Sequence, residues 1–296
     1  QAASLTSTLL SRVHAAIRAG GGWLPFDRFM ALALYEPGLG YYANTSPKFG
    51  LMPGGVAGQG SDFVTAPELS PLFGHTLARQ LAQALAATGT DEVWEFGAGT
   101  GALALQVLDA LAALGQAPRR YTNVDLSGTQ RARHRHTLAA HLDVLHWADA
   151  LPASMQGVVV GNEVLDAMPV QLLRRAGGHV GGVWQERGVA TAPDGALVWA
   201  DRCTALRPPV EIEGPHDYLT EIHPQGEAFI RTLAERLRRG AAFFIDYGFP
   251  EAEYYHPQRH MGTLICHRAH QSDDDPLADV GEKDITAHVN FTGVAL

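Results

Sequence analysis

The sequence predicts an α/β fold in which a mostly parallel sheet carries helices on both faces. From residue 92 onward, short apolar runs alternate with helical patterns, which is the rhythm of strand–helix–strand units. Of the 296 residues, 46% are hydrophobic and 18% are charged, as expected for a compact chain with a large core. No apolar run approaches the roughly 18 residues that cross a bilayer, so we predict no membrane span.

Five strands are predicted after residue 92, and helices lie before and between them. The strands cover residues 93–96, 121–127, 144–150, 157–164 and 241–248. Helical spacing covers residues 5–20, 26–34, 70–87, 102–115, about 130–141 and 224–239. Residues 35–62 are rich in Gly, Pro and Tyr and are predicted to form a long loop.

Two regions are expected from this order of elements. Residues 1–90 form an N-terminal helical region with a Gly-rich lid, and residues 91–296 form the domain that contains the sheet. A β-rich insertion is predicted at about residues 170–220, after the fourth strand, because glycines there mark hairpin turns.

Charge and composition exclude several functional classes. Lys and Arg total 22 against 31 Asp and Glu, a net charge of −9, which argues against a nucleic-acid binder. The basic run at residues 131–136 is therefore predicted to be the solvated face of a helix. Cys203 and Cys266 form no CxxC pair, and Pro257 interrupts helical presentation of the nearby histidines, so we predict no metal site.

A glycine-rich turn follows the first strand of the sheet, in the string EFGAGTG at residues 95–101. Glycine at 97, 99 and 101 allows a tight turn and lets backbone N–H groups approach a ligand at a helix N-terminus. The string also satisfies the G-x-G-x-x-A pattern of NAD(P) enzymes, and a turn without a ligand is the third possibility. Glu95 favours S-adenosylmethionine, because a carboxylate suits its ammonium group and opposes a pyrophosphate.

Further cofactor contacts are expected where the next two strands end. Asp125 ends the second strand, where a carboxylate accepts hydrogen bonds from ribose hydroxyls, and Trp147 to Ala150 end the third, near the adenine. The predicted contacts from these three strand ends are Glu95, Gly97, Ala98, Gly99, Gly101, Asp125, Leu126, Trp147, Asp149 and Ala150.

The segment GNEVLDAMPV, residues 161–170, follows the fourth strand at the edge of the sheet where open α/β folds bind ligands. Glu163 and Asp166 are three residues apart and converge on one substrate group if the segment turns helically. Asn162 is placed to fix a backbone or amide group nearby. The alternative is a helix N-terminus whose carboxylates face the positive end of the helix dipole.

Several blocks of the chain resemble one enzyme family. EFGAGTG resembles motif I of class I methyltransferases. Signature blocks of the MidA-like methyltransferases are matched, in family order, by YEPGLGYYA (35–43), SDFVTAPELSPLFG (61–74), GNEVLDAMPV (161–170), YLTEIHPQ (218–225), FFIDYG (243–248) and GEKDITAHVNF (281–291). The resemblance implies a Rossmann-like class I methyltransferase sheet and S-adenosylmethionine as the cofactor.

The resemblance also implies roles for individual residues. Thr65, Pro67 and Glu68 are expected in a lid over the methyl donor, although Ser70 and Pro71 also fit a simple helix cap. Arginine methyltransferases of other families hold the guanidinium with paired carboxylates after this same strand. By that similarity Glu163, Asp166 and Asn162 are predicted to be catalytic.

The family implies a protein arginine as methyl acceptor, since it includes a mitochondrial complex I assembly factor that dimethylates an arginine. Two alternatives stay open: transfer to another protein side chain or a small molecule, and a cofactor-binding assembly factor without catalysis. The expected location is the cytoplasm for a bacterial chain and the mitochondrial matrix for a eukaryotic one. Family chains continue with a helix and strands, so a further segment is expected beyond Leu296.

Overall fold

The computed structural model describes residues 2–44, 65–125, 130–177, 182–268 and 271–296. Its helices are α1 (Ala2–Ala19), α2 (Phe26–Tyr35), α3 (Ala66–Leu69), α4 (Pro71–Thr88), α5 (Ala102–Ala113), α6 (Arg131–Thr137), α7 (Pro224–Arg236), α8 (Glu251–Tyr254) and α9 (Phe291–Ala295), with a 3₁₀ turn at Ala139–His141. Most of the predicted loop at 35–62, and Leu126, lie outside the described residues.

Fifteen strands are found in the described part of the chain. They are β1 (Leu24–Pro25), β2 (Glu92–Phe96), β3 (Arg120–Val124), β4 (Leu145–Ala148), β5 (Met155–Asn162), β6 (Gln171–Arg175), β7 (Trp184–Thr191), β8 (Leu197–Cys203), β9 (Tyr218–Ile222), β10 (Leu237–Ile245), β11 (Gly248–Phe249), β12 (Ile265–Arg268), β13 (Gln271–Asp273), β14 (Asp284–Thr286) and β15 (Val289–Asn290).

The chain divides into two compact units that interleave in sequence. One comprises Gln1–Asn44, Leu165–Ile230 and Tyr247–Leu296, and the other comprises Thr45–Val164 and Arg231–Asp246. The predicted regions 1–90 and 91–296 stay a prediction.

The second unit contains a parallel sheet with the strand order β10-β5-β2-β3-β4. Every neighbouring pair is parallel, with Phe96 opposite both Val124 and Gly161. The chain runs outward from β2 through β3 to β4, then returns to place β5 on the other side of β2. The predicted parallel sheet is therefore confirmed, and its strand order reverses between β2 and β5, the point where open α/β sheets bind ligands.

The strands of this sheet are buried on both faces. Val158, Val159 and Val160 have no exposed surface, although successive residues of a strand point to opposite faces. Helix α4 covers one face with Leu77, Leu81 and other apolar residues at helical spacing, which pack with α5 against the strands. Burial on both faces explains why these strands read as continuous apolar runs instead of alternating ones.

The first unit contains antiparallel structure. Its largest sheet has the order β1-β7-β6-β9, with β8 also paired to β7. The stretch 170–220, predicted as a β-rich insertion, supplies β6, β7, β8 and the start of β9. Smaller antiparallel pairings join β12 to β13 and β14, and a short parallel pairing joins β11 to β15.

One predicted boundary is wrong. The helical pattern extended to residue 239, but α7 ends at Arg236 and β10 begins at Leu237. Backbone pairing with β5 runs from Leu237 opposite Met155 to Ile245 opposite Asn162. This tertiary pairing overrides the local helical spacing, which is why the strand starts earlier than the sequence indicates. Among the described residues, no helix is both long and apolar enough to cross a membrane.

Glycine is required where β5 passes close to its neighbours. Gly157 has a φ of +115°, and a Cβ atom there would overlap the carbonyl oxygen of Glu92.

We expect Gly157→Ala to lower the free energy of unfolding by about 3 kcal/mol or more, measured by urea denaturation, since backbone cannot move aside as a side chain does. The control is Gln156→Ala on the same strand, whose exposed side chain predicts a change within about 0.5 kcal/mol. Equal stability of the two variants would contradict this account of the sheet.

Candidate functional site at the carboxyl edge of the parallel sheet

The glycine-rich turn connects β2 to α5 in a conformation that other residues adopt only with strain. Gly97, Gly99 and Gly101 have φ values of +65°, +52° and +86°, all in the left-handed region. Gly101 directly precedes α5, and its N–H donates to the carbonyl oxygen of Ala98 at 2.8 Å. The three glycines thus fold the chain sharply at the edge where β2 ends.

Two of these glycines differ in what surrounds them. A Cβ atom at Gly97 would lie 2.8 Å from Val164 Cγ2, so this position packs tightly within the protein. At Gly99 the nearest of the described atoms would be the carbonyl oxygen of Gly97, at 3.9 Å. Among the described residues, only the backbone of the turn itself therefore comes within 4 Å of a Cβ atom placed at Gly99.

Glu95 lies two residues before the turn and is almost completely buried, with 1% of its surface exposed. Its Oε2 accepts a hydrogen bond of 2.8 Å from the hydroxyl of Tyr121 on β3. Burial raises the pKa of Glu95 to about 7, and the hydrogen bond from Tyr121 opposes part of that rise. The carboxyl group therefore changes charge near neutral pH, and a nearby cation would favour its ionised form.

The predicted ribose-binding residue lies at the end of the neighbouring strand. Asp125 follows β3, and its N–H donates to the carbonyl oxygen of Ala148 on β4 at 3.0 Å. This hydrogen bond continues the parallel ladder for one more residue and places Asp125 at the same edge as the glycine turn.

Residues at the end of β4 contact α6. The guanidinium of Arg135 lies over the ring of Trp147, 4.8 Å from its centre, and Asp149 forms an ion pair with Arg131. The carboxylate of Asp149 is largely exposed, so this pair adds little to stability. Trp147 near the end of β4, and Asp149 and Ala150 directly after it, lie at the carboxyl edge, as expected from their positions in the sequence.

The residues predicted as a lid take part in local helix contacts. Glu68 accepts the N–H of Thr65 at 3.0 Å, which closes the first turn of α3. The carbonyl oxygen of Pro67 accepts a hydrogen bond of 2.6 Å from Gln106 on α5. Ser70 caps α4 by accepting the N–H of Leu72, so the helix cap that the sequence also fitted is present. The lid role of Thr65, Pro67 and Glu68 stays a prediction.

Asn162 and Glu163 come where β5 ends, next to the end of β2. Glu163 has a φ of +52°, and its N–H donates to the carbonyl oxygen of Ile245 at 2.9 Å. A left-handed conformation at a residue other than glycine costs on the order of 1 kcal/mol and is concentrated at functional sites. The chain forms bends and a turn at 163–168, not a helix, so the alternative of a helix N-terminus is wrong, and the helical turn on which the predicted convergence of Glu163 and Asp166 depended is also absent.

Asp166 belongs to the other compact unit, and its surroundings are aromatic and acidic. It is 8% exposed, and its backbone carbonyl accepts the N–H of Ala287 at 2.9 Å. Tyr42 donates to Asp284 Oδ1 at 2.6 Å and stacks on Tyr35, with ring centres 5.5 Å apart. Burial, and then the negative charges of Asp284 and Asp166, raise the pKa of Tyr42 well above its usual value. Both phenols therefore stay protonated as hydrogen-bond donors.

One contact to the glycine turn was missed from the sequence. His134 lies in the basic run that was predicted to be solvated, yet only 1% of its surface is exposed and its Nε2 lies 2.9 Å from the carbonyl oxygen of Gly99. The spacing of His134 and the fully buried Leu138, four residues apart, was the available signal of an inward face. The described residues contain no group of three side chains suited to a metal ion.

Comparisons with known proteins identify the family and the fold of the chain. Residues 76–296 match the model of a family described as "Putative S-adenosyl-L-methionine-dependent methyltransferase". The chain superimposes on a crystal structure of a Burkholderia thailandensis protein bound to S-adenosyl-homocysteine, with a TM-score of 0.91 and 50% identity over 99% of this chain and 76% of that one. A native crystal structure from the same organism gives a TM-score of 0.87 and 48% identity, covering 99% of this chain and 75% of that one.

Curated relatives are more distant. The "Protein arginine methyltransferase NDUFAF7 homolog, mitochondrial" of Drosophila melanogaster is 28% identical over 91% of this chain, and the protein of the same name from Caenorhabditis elegans is 24% identical over 91%. The chain spans 65% of the length of the first and 67% of the second. The resemblance to the MidA-like methyltransferases is confirmed, and the chain belongs to this family of S-adenosyl-L-methionine-dependent methyltransferases.

Proposed function

We propose that the chain is an S-adenosylmethionine-dependent methyltransferase that methylates an arginine side chain of a protein. The observation that carries the proposal is the glycine turn at the point where the strand order reverses, with the buried carboxyl of Glu95 just before it. Family membership and the S-adenosyl-homocysteine in the similar Burkholderia protein support the cofactor and favour it over NAD(P). The names of the curated relatives support arginine as the acceptor.

The residues at this edge fit the cofactor. No described side chain lies within 4 Å of a Cβ placed at Gly99, so a ligand can approach the backbone there, and the carboxyl of Glu95 with its pKa of about 7 suits an ammonium group. A pyrophosphate would instead place like charge near that carboxyl. When bound, S-adenosylmethionine supplies a methyl group that its sulfonium sulfur has already activated.

The protein's part is then to bind, to orient and to exclude water. We assign the glycine turn and Glu95 to the amino-acid portion of the cofactor, Asp125 to the ribose, and the segment from Trp147 to Ala150 to the adenine. Thr65, Pro67 and Glu68 are assigned to the cover over the methyl donor. Leu126 is assigned beside Asp125 by its sequence position alone.

Glu163 is the proposed carboxylate for the acceptor. An arginine guanidinium is a poor nucleophile, because its lone pairs are delocalised and it stays protonated. A carboxylate aligns one of its nitrogens through charge-assisted hydrogen bonds. The backbone of Glu163 is left-handed and its N–H donates to the carbonyl oxygen of Ile245. These constraints fix the point at the carboxyl edge from which this side chain extends. Asp166 is proposed as its partner from the family resemblance, with Asn162 in support.

Two alternatives lead to different outcomes of the experiments below. A methyltransferase for another side chain or a small molecule would bind the same cofactor and leave arginine unmodified. An assembly factor without catalysis would bind cofactor and transfer nothing. The mitochondrial names of the curated relatives suggest the matrix for a eukaryotic chain, and we propose the cytoplasm for a bacterial one.

Cofactor binding at the glycine turn is tested by Gly99→Val. The added side chain would occupy the position beside the turn that we assign to the cofactor, so we expect calorimetry to detect no binding of S-adenosyl-homocysteine. The control is Gly89→Val, at a glycine that has a similar φ of +61° and no described atom within 4 Å of the added Cβ, but that ends α4 before β2 begins. It suffers the same backbone strain and should bind normally. Tight binding of NAD(P) with none of S-adenosyl-homocysteine would reject the proposed cofactor.

Binding should be linked to proton release through Glu95. With a pKa of about 7 the carboxyl is about half protonated at pH 7, and a ligand ammonium beside it favours ionisation. We therefore expect release of about half a proton per site, and affinity that rises as pH increases from 5 to 8. Calorimetry in buffers of different ionisation enthalpy measures the release, which Glu95→Gln should abolish. A binding enthalpy independent of the buffer in wild-type protein would place the ligand ammonium away from Glu95.

The acceptor carboxylates are tested by Glu163→Gln and Asp166→Asn. Each change keeps the shape and removes the charge, so transfer of labelled methyl groups to proteins of a cell lysate should fall by about 100-fold or more. Affinity for S-adenosyl-homocysteine should change by less than about twofold, because these carboxylates face the acceptor. The control is Glu235→Gln, an exposed carboxylate on α7, which should retain the wild-type rate. Wild-type rates in both variants would mean that the two carboxylates are structural.

A further inference from the structure

Two side chains of α6 donate hydrogen bonds to successive carbonyl oxygens of the glycine turn. His134 Nε2 lies 2.9 Å from the carbonyl oxygen of Gly99, and Thr137 Oγ1 lies 3.0 Å from that of Thr100. Nothing in the predicted function required α6, since its basic residues were expected to face solvent. The contacts tie the turn to a neighbouring element of the same compact unit.

The hydrogen bonds of His134 are mutually consistent in one tautomer. The Gly99 carbonyl only accepts, so Nε2 carries the proton, and Nδ1 then accepts from the side-chain amide of Asn123 at 3.2 Å. Asn123 on β3 is fully buried, which fixes the imidazole from its other side. Burial lowers the pKa of His134, while the hydrogen bond to Gly99 and the charge of Asp125 oppose this shift. The ring is therefore neutral at neutral pH.

Fixing these carbonyl groups also fixes the neighbouring N–H groups. In a planar trans peptide the N–H points opposite to the preceding carbonyl, and no cis peptide occurs in the described residues. With the Gly99 carbonyl held on the α6 side, the Thr100 N–H points away from α6. The next two N–H groups are engaged within the turn, that of Gly101 with Ala98 and that of Ala102 with Thr100 Oγ1.

We propose that His134 is a positioning residue that directs the Thr100 N–H toward an anionic group of the bound cofactor, namely the carboxylate of its amino-acid portion, and that Thr137 supports this arrangement by holding the next carbonyl of the turn. The inference rests on the proposed function. It assigns to α6 the task of setting the orientation of the turn, since the glycines alone leave several backbone conformations accessible. The residues act through the peptide groups that they hold and do not touch the ligand themselves.

Two ligands distinguish a loss of the turn's orientation from a general disturbance of the binding site. S-adenosyl-homocysteine has the amino-acid carboxylate, and 5′-methylthioadenosine lacks it. We expect His134→Leu to weaken binding of S-adenosyl-homocysteine by about tenfold and to leave binding of 5′-methylthioadenosine within about twofold of wild type, both measured by calorimetry. His134→Gln retains an N–H donor that takes the place of Nε2, and it should restore affinity to within about threefold.

Thr137 gives an independent pair of variants if His134→Leu fails to fold. Thr137→Val keeps the shape and removes the hydroxyl, whereas Thr137→Ser keeps the donor. Only the Val variant should lose affinity for S-adenosyl-homocysteine. The control on the same helix is the exposed His136, whose change to Leu should alter neither ligand's affinity.

The remaining outcomes overturn the inference. If His134→Leu and Thr137→Val lower the affinities for both ligands equally, the two residues have a merely structural role. If neither variant changes either affinity, the two residues have no role in binding. If wild-type protein binds both 5′-methylthioadenosine and S-adenosyl-homocysteine and the variants bind them with the same affinities, the inference fails and the proposed function stands. Wild-type protein that binds neither ligand removes both.

Discussion

Parallel pairing of β2 with β5 determines where the candidate site forms. The two strands run side by side in the same direction, so the glycine turn after β2 and the Asn162–Glu163 segment after β5 emerge at one edge. The strand order also reverses between them, which leaves a gap between the connections that diverge from that edge. The assignment of a donor-binding turn and an acceptor carboxylate to neighbouring positions follows from this one pairing.

Backbone conformation, more than side-chain chemistry, specifies the site. Three left-handed glycines shape the turn after β2, and a left-handed glutamate follows β5. Glycine adopts this conformation without strain, whereas Glu163 needs the surrounding structure to hold it. The burial of Glu95 under the sheet's covering helices is a further constraint, because it brings the pKa of a carboxyl into the neutral range.

Much of this architecture follows from local patterns. The parallel strands were found in the sequence because burial on both faces makes them continuously apolar, and the glycine turn because its residue type is dictated by its backbone. The end of α7 was not predicted correctly, since the pairing of Leu237 with β5 is a tertiary contact that helical spacing does not register. The conformation of the segment after Asn162 was also missed, because no residue preference reports a left-handed glutamate. His134 was misread for a related reason: it stands in a run of basic residues, and its burial follows from a tertiary contact with Gly99 that the run does not register.

The most direct test of the account identifies the atom that receives the methyl group. The full chain would be incubated with S-adenosylmethionine carrying a deuterated methyl group and with a cell lysate, and labelled peptides would be sequenced by mass spectrometry. The account predicts deuterated methyl groups on guanidinium nitrogens of arginine, present with wild-type protein and lost with Glu163→Gln. Label on another residue type or on a small molecule, or no label from a protein that binds S-adenosyl-homocysteine, would contradict it.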